Sequence, residues 1–93
     1  IKLARYATGR SALIAFTGSF HGRTMGALSL NASKVVQKQG FGPLIQPVFH
    51  VPYPNPYRQT DSMDHTFSAL DQLFRSIVPP SEVAAFVLEP IQG

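Results

Sequence analysis

A mostly parallel α/β sheet is the fold class this sequence predicts, on three observations. Two continuous apolar runs, ALIAF at Ala12–Phe16 and AAFVL at residues 84–88, have the character of strands buried on both faces, the habit of parallel sheets. Segments of helical period lie before, between and after the loops that border them. Strands that alternate with helices, and do not follow one another through tight turns, need crossover connections.

The elements follow in order. Residues 1–8 read as the closing turns of a helix, with Leu3, Ala4 and Ala7 on one face and Gly9 suited to the left-handed position beyond its end. Ala12–Phe16 is the first strand, and a glycine-rich loop, GSFHGRTMG at residues 18–26, leaves it. Residues 23–30 predict a short helix in spite of Gly26. Residues 31–60 are irregular, because Gly40, Gly42, Pro43, Pro47, Pro52, Pro54 and Pro56 exclude regular helix, and only Val48–Val51 can form a brief strand. The stretch VPYPNPY at residues 51–57 lacks a clear PxxP spacing and reads better as a packed connector than as a recognition peptide. Asp61 is placed to cap a helix with the apolar stripe Met63, Phe67, Leu70, Phe74 and Ile77, and Asp64 suits the positive end of its dipole. Pro79 and Pro80 end it. Residues 84–88 form the second buried strand, closed by Glu89-Pro90-Ile91-Gln92-Gly93.

In open parallel sheets ligands bind beyond the carboxyl ends of the strands. Loop 17–23 and segment 89–93 each follow a strand, so parallel strands bring both to one edge. That edge is the candidate site.

Composition narrows the chemistry. The chain is 44% hydrophobic and 14% charged over 93 residues, so it is globular, with much of its surface meant to be covered. It has no cysteine, which excludes a disulfide framework and a thiolate metal site and fits a reducing compartment. No apolar stretch nears the length that spans a bilayer, and a cytoplasmic location without membrane attachment is the expectation. Charge is lopsided: residues 1–60 hold seven basic and no acidic side chains, and residues 61–93 one basic and five acidic. The basic residues are scattered without a nucleic-acid motif, so no nucleic-acid partner is expected. His21, His50 and His65 include no close pair and have no carboxylate at ligand spacing, so no metal is expected.

The loop invites three readings. As a phosphate loop of the form GxxxxGK[ST] it is one residue short and has Arg for Lys. As a wall for an organic cofactor it is better equipped. Phe20 can stack on a planar heterocycle, the glycines admit close backbone approach, and Arg23 offers a fork to a carboxylate or phosphate. Glu89, on the same edge, can pair with an arginine or orient polar groups. The plainer alternative, Phe20 in the core and Arg23 solvated, stands equal to it on pattern alone.

The stretch AFTGSFHGRTMGAL, residues 15–28, resembles the strand-loop-helix of class III aminotransferases, pyridoxal-phosphate enzymes of fold type I, and most of all 4-aminobutyrate aminotransferases. The likeness extends to KLARYATGR at residues 2–10, to Ser33-Lys34, to YPNPYR at residues 53–58 and to EPIQG at residues 89–93, in order along the whole chain.

The resemblance implies that residues 1–93 are part of the mostly parallel large domain of that fold. Phe20 would stack on the pyridine ring of pyridoxal 5'-phosphate, with His21 and Gly22 beside it. Arg23 would reach a substrate carboxylate, and Glu89 would be a polar partner at the rim. The reaction would move an amino group from 4-aminobutyrate or a related ω-amino acid to 2-oxoglutarate, in a homodimer. Acetylornithine or another ω-amine is the alternative donor, and a non-catalytic anion-binding module the alternative class. The Schiff-base lysine and the aspartate on the pyridine nitrogen would lie downstream, so Lys2, Lys34 and Lys38 take no catalytic role. The chain opens inside a helical pattern and stops just after a strand-like run. The expectation is therefore an internal piece of a longer protein, inactive and of low stability by itself.

Overall fold

The five apolar residues of β1, Ala12–Phe16, form the centre of a three-stranded sheet, and every one of them is buried. The computed structural model describes residues 1–93. β2 (Val48–Val51) and β3 (Val83–Phe86) flank β1, both parallel to it, in the order β2-β1-β3. Helix α1 (Lys2–Thr8) precedes β1, α2 (Met25–Leu30) lies in the crossover to β2, and α3 (Ser62–Ser76) in the crossover to β3.

The pleat of β1 divides the core in two. Ala12, Ile14 and Phe16 face α3 and pack with Val51, Leu73, Val78 and Val83. Leu13 and Ala15 face the other way and pack with Leu30, with Ile1, Val48 and Val87 partly covering them. Alternation along one strand thus serves two layers, which is why the run is apolar throughout. Full burial of a side chain the size of Leu13 or Ile14 contributes about 1.5–3 kcal/mol.

Strand β3 is shorter and less buried than its sequence predicts. It covers Val83–Phe86, not residues 84–88, although the Val87 N–H still donates to the Ile14 carbonyl at 2.8 Å. Ala84 is an extra residue in the register, since Ala12 pairs with Val83 and Leu13 with Ala85. The far edge of β3 has no partner strand, and Phe86 is left 47% exposed.

The helices also depart from expectation in detail. α2 starts at Met25, because Gly22, Arg23 and Thr24 remain in the loop. Asp61 takes the position before α3 but makes no capping bond with its side chain. Of the expected stripe, Leu70 and Phe74 pack on the core while Met63, Phe67 and Ile77 are exposed. The narrow sheet covers only the Leu70, Leu73 and Phe74 part of the helix face. Ser62 and Thr66 are buried instead, and the Thr66 hydroxyl donates to the Pro52 carbonyl at 2.9 Å, tying α3 to the end of β2.

α1 buries no residue, and Leu3 on its predicted inner face is exposed. It is held by Arg5, whose guanidinium donates to the Ser11 and Gln46 carbonyls at 2.9 and 2.8 Å. Gly9 ends it in the left-handed conformation (φ 67°), as the sequence implies. Residues 31–60 contain β2 and a single 3-10 turn at Val35–Gln37, and otherwise no regular structure. No helix is long and apolar enough to cross a membrane.

Candidate functional site

Because all three strands are parallel, the loops after β1, β2 and β3 leave from one edge of the sheet. The loop after β1 is fixed there by its own amides. Four successive backbone N–H groups find four different acceptors: Gly18 the Ala32 carbonyl at 2.9 Å, Ser19 the Phe16 carbonyl at 3.3 Å, Phe20 the Glu89 carboxylate at 2.9 Å and His21 the Asn31 side-chain oxygen. No amide of this stretch is left unpaired.

Two glycines make the path possible. Gly18 (φ 79°) lets Gln92 lie over the loop, and a Cβ there would meet the Gln92 Oε1 at 3.2 Å. The Gln92 amide donates to the Thr17 carbonyl at 3.2 Å. Gly22 (φ 137°) packs closely on α2, since a Cβ would lie 3.1 Å from that of Ala27. Both positions are left-handed, where a side chain is strained.

The segment after β3 is held by the loop after β2. The Tyr53 hydroxyl reaches the Glu89 and Pro90 carbonyls at 2.9 and 3.2 Å, while the Tyr53 ring meets Phe16 edge to face at 5.8 Å. Glu89 is thus gripped through its backbone, with its carboxylate on the Phe20 amide. A cleft of about 520 Å³ opens on this edge between Thr17, Gly18, Tyr53, Tyr57 and Gln92.

The five residues singled out from sequence do not share one pocket. Phe20 and Glu89 meet. Phe20 is 41% exposed, which excludes the core reading of its ring. Arg23 is exposed without an acidic partner and lines a separate cleft of about 220 Å³ with Met25, Leu28, Val36, Gln37 and Phe41. His21 points toward α1, into a cleft of about 610 Å³ with Lys2, Leu3, Ala27, Ile45 and Val87, and its Nε2 is buried without a partner. Gly22 lies between these two directions. Burial lowers the pKa of the Lys38 ammonium.

Sequence reasoning missed Ser19, Asn31 and Tyr53. Ser19 and Asn31 are both fully buried, the Ser19 hydroxyl donating to the Leu30 carbonyl at 3.1 Å. The only signal for Asn31 was a polar residue directly after an apolar helix end.

The edge fits a flat aromatic group on one side. It offers an aromatic face open to solvent, two glycines that allow close approach, and a carboxylate engaged by an amide and so held in place.

The chain is similar to known proteins over its whole length. The family model described as Aminotransferase class-III matches residues 1–93. A 2-aminoadipate transaminase of Pseudomonas putida is 44% identical over all of this chain and 22% of its own length. An alanine/serine racemase of Pyrococcus horikoshii is 42% identical over the same share of both chains. The 4-aminobutyrate aminotransferase GabT of Escherichia coli is 37% identical, again over 100% and 22%. Among solved structures, a PLP-bound amine transaminase from an uncultivated Pseudomonas species superposes with a TM-score of 0.76 at 26% identity, covering 99% of this chain and 23% of that one. The chain therefore spans about a fifth of the length of the proteins it matches. Its parallel three-stranded unit is part of the α/β fold that those transaminases share.

Proposed function

The chain belongs to the class III aminotransferases, and we propose that it forms one wall of the pyridoxal 5'-phosphate site of a transaminase, within the large domain of the whole protein. One observation carries this reading. The Phe20 N–H and the Glu89 carboxylate meet at 2.9 Å, joining the FHGRT loop to the EPIQG segment at the carboxyl edge of a parallel sheet, with the Phe20 ring left open.

When bound, the cofactor supplies an electron sink for the carbon that carries the amino group. The residues of this chain hold and orient. Phe20 presents its ring face to the pyridine ring, an offset contact worth about 0.5–1.5 kcal/mol beyond its area. Gly22 lets the backbone pass close beside it, and His21 backs the loop from the α1 side. Glu89 keeps the Phe20 peptide from turning. Arg23, exposed in the separate cleft it lines, offers its planar fork to a carboxylate of the substrate.

The amino donor in this proposal is 4-aminobutyrate or a related ω-amino acid, and 2-oxoglutarate the acceptor. The whole protein works as a cytoplasmic homodimer. The resemblance of the FHGRT and EPIQG segments to 4-aminobutyrate aminotransferases supports this donor, as does the GabT match. A second reading, racemisation of an amino acid on the same cofactor, is favoured by the 42% identity to an alanine/serine racemase.

The test is an assay of the whole protein with pyridoxal phosphate. Glutamate formation from 4-aminobutyrate and 2-oxoglutarate supports the first reading. Conversion of L-alanine to D-alanine without any oxo acid, and no glutamate, replaces it by the second.

A further inference from the structure

We infer that Asn31 is a positioning residue for the cofactor-facing loop, setting the direction in which Phe20 and Arg23 leave it; the inference rests on the reading of this edge as a pyridoxal-phosphate wall. Asn31 follows α2 and is fully buried. Its side-chain oxygen accepts the His21 N–H, and its side-chain nitrogen donates to the Gly22 carbonyl at 2.8 Å. Both ends of one amide are therefore spent on the first and the last of the three peptide groups between Phe20 and Arg23.

That arrangement has a direct consequence. Two reciprocal backbone bonds, Gly18 N–H to Ala32 carbonyl and Ala32 N–H to Ser19 carbonyl, zip the start of the loop to the chain after α2. The pairing cannot continue through the backbone, because Phe20 turns its N–H away to Glu89. Asn31 supplies from its side chain the acceptor and donor that a paired strand would have supplied from its main chain. Phe20 is thereby bracketed, with Glu89 holding the peptide on its amino side and Asn31 the one on its carboxyl side. Gly22, at φ 137°, takes a conformation that favours glycine just before Arg23, and the Asn31 side chain donates to its carbonyl there. Without that bracket three side chains that now diverge, Phe20 to the edge, His21 toward α1 and Arg23 to its own cleft, lose their common anchor.

The experiment uses the whole protein. Amide hydrogen exchange is measured first on the cofactor-free form, where His21 is expected to be slowed at least tenfold relative to an unpaired loop amide. Asn31→Ala is expected to remove that protection while amides of β1 stay protected. It is also expected to weaken pyridoxal phosphate binding about tenfold, since both loop hydrogen bonds of the Asn31 side chain are lost, and to change the visible circular dichroism of the bound cofactor. Leu73→Ala, a buried change in α3 away from the loop and its clefts, controls for stability alone. If both variants lower the melting temperature but Asn31→Ala leaves cofactor affinity and dichroism as in the wild type, Asn31 is structural and the inference fails. A His21 amide that exchanges freely in the wild type overturns it without any variant. A wild-type protein that does not bind pyridoxal phosphate, with His21 protected, overturns the cofactor reading and this role with it.

Discussion

The backbone N–H of Phe20 donates to the carboxylate of Glu89 across 2.9 Å, over 69 residues of sequence. With the Gln92 amide bond to the Thr17 carbonyl, this bond joins the loop after β1 to the segment after β3, where the two most distinctive motifs of the chain touch. A hydrogen bond to a charged group contributes about 1.5–3 kcal/mol when buried and less at an exposed edge like this one. Glu89→Gln keeps an acceptor and is expected to change cofactor affinity less than about threefold. Glu89→Ala removes it and is expected to weaken binding about tenfold, the equivalent of about 1.4 kcal/mol. Fluorescence titration of the whole protein with pyridoxal phosphate measures both.

Gly22 and Gly9 offer a paired test of backbone strain. Gly9 sits at φ 67° with nothing within 4 Å of a Cβ, whereas Gly22 sits at φ 137° with the Ala27 Cβ 3.1 Å away. Gly9→Ala is expected to cost about 1 kcal/mol, the ordinary penalty of a left-handed alanine. Gly22→Ala adds a contact that must push α2 away, and about 2–3 kcal/mol is expected. Denaturant unfolding of the two variants checks the order.

Arg23 is exposed and unpaired, free to take an anion. Arg23→Lys retains charge but loses the two-pronged geometry. KM for an amino donor that bears a carboxylate is expected to rise about tenfold or more. KM for a simple amine without a carboxylate is expected to stay the same. Steady-state kinetics with the two donors separate the cases.

Lys38 gives a pH-dependent signature. Burial lowers the pKa of its ammonium below 10.5, so in alkaline solution the unfolded chain keeps this proton to higher pH than the folded one. Stability from this group therefore rises with pH through the window between the lowered value and 10.5. Lys38→Gln is expected to flatten the slope of melting temperature against pH in that window, with no change near neutrality in the shape of the curve.

What could be read from the sequence depended on how local the cause was. Ala12–Phe16 announced itself because burial on both faces leaves no polar position in the run, and the left-handed turn at Gly9 followed from one glycine at a helix end. The common edge of the two loops followed from parallel strands alone. The stripe of α3 misled because a periodic pattern treats Met63, Phe67 and Ile77 like Leu70, while a three-stranded sheet covers only part of the helix. β3 came out short because the register bulge at Ala84 and the open far edge are properties of the pairing, not of the run. Asn31 was invisible because its partners lie nine and ten residues earlier, and the separation of His21 and Arg23 into different clefts depends on the conformation of Gly22 between them.

The most direct test of the cofactor-facing edge is the dissociation constant of pyridoxal phosphate for the whole protein, measured for wild type and Phe20→Ala. The account predicts that wild type binds and that Phe20→Ala binds about three- to tenfold more weakly, the loss of one stacked ring. Equal affinities for the two proteins would place the cofactor away from Phe20 and contradict the account.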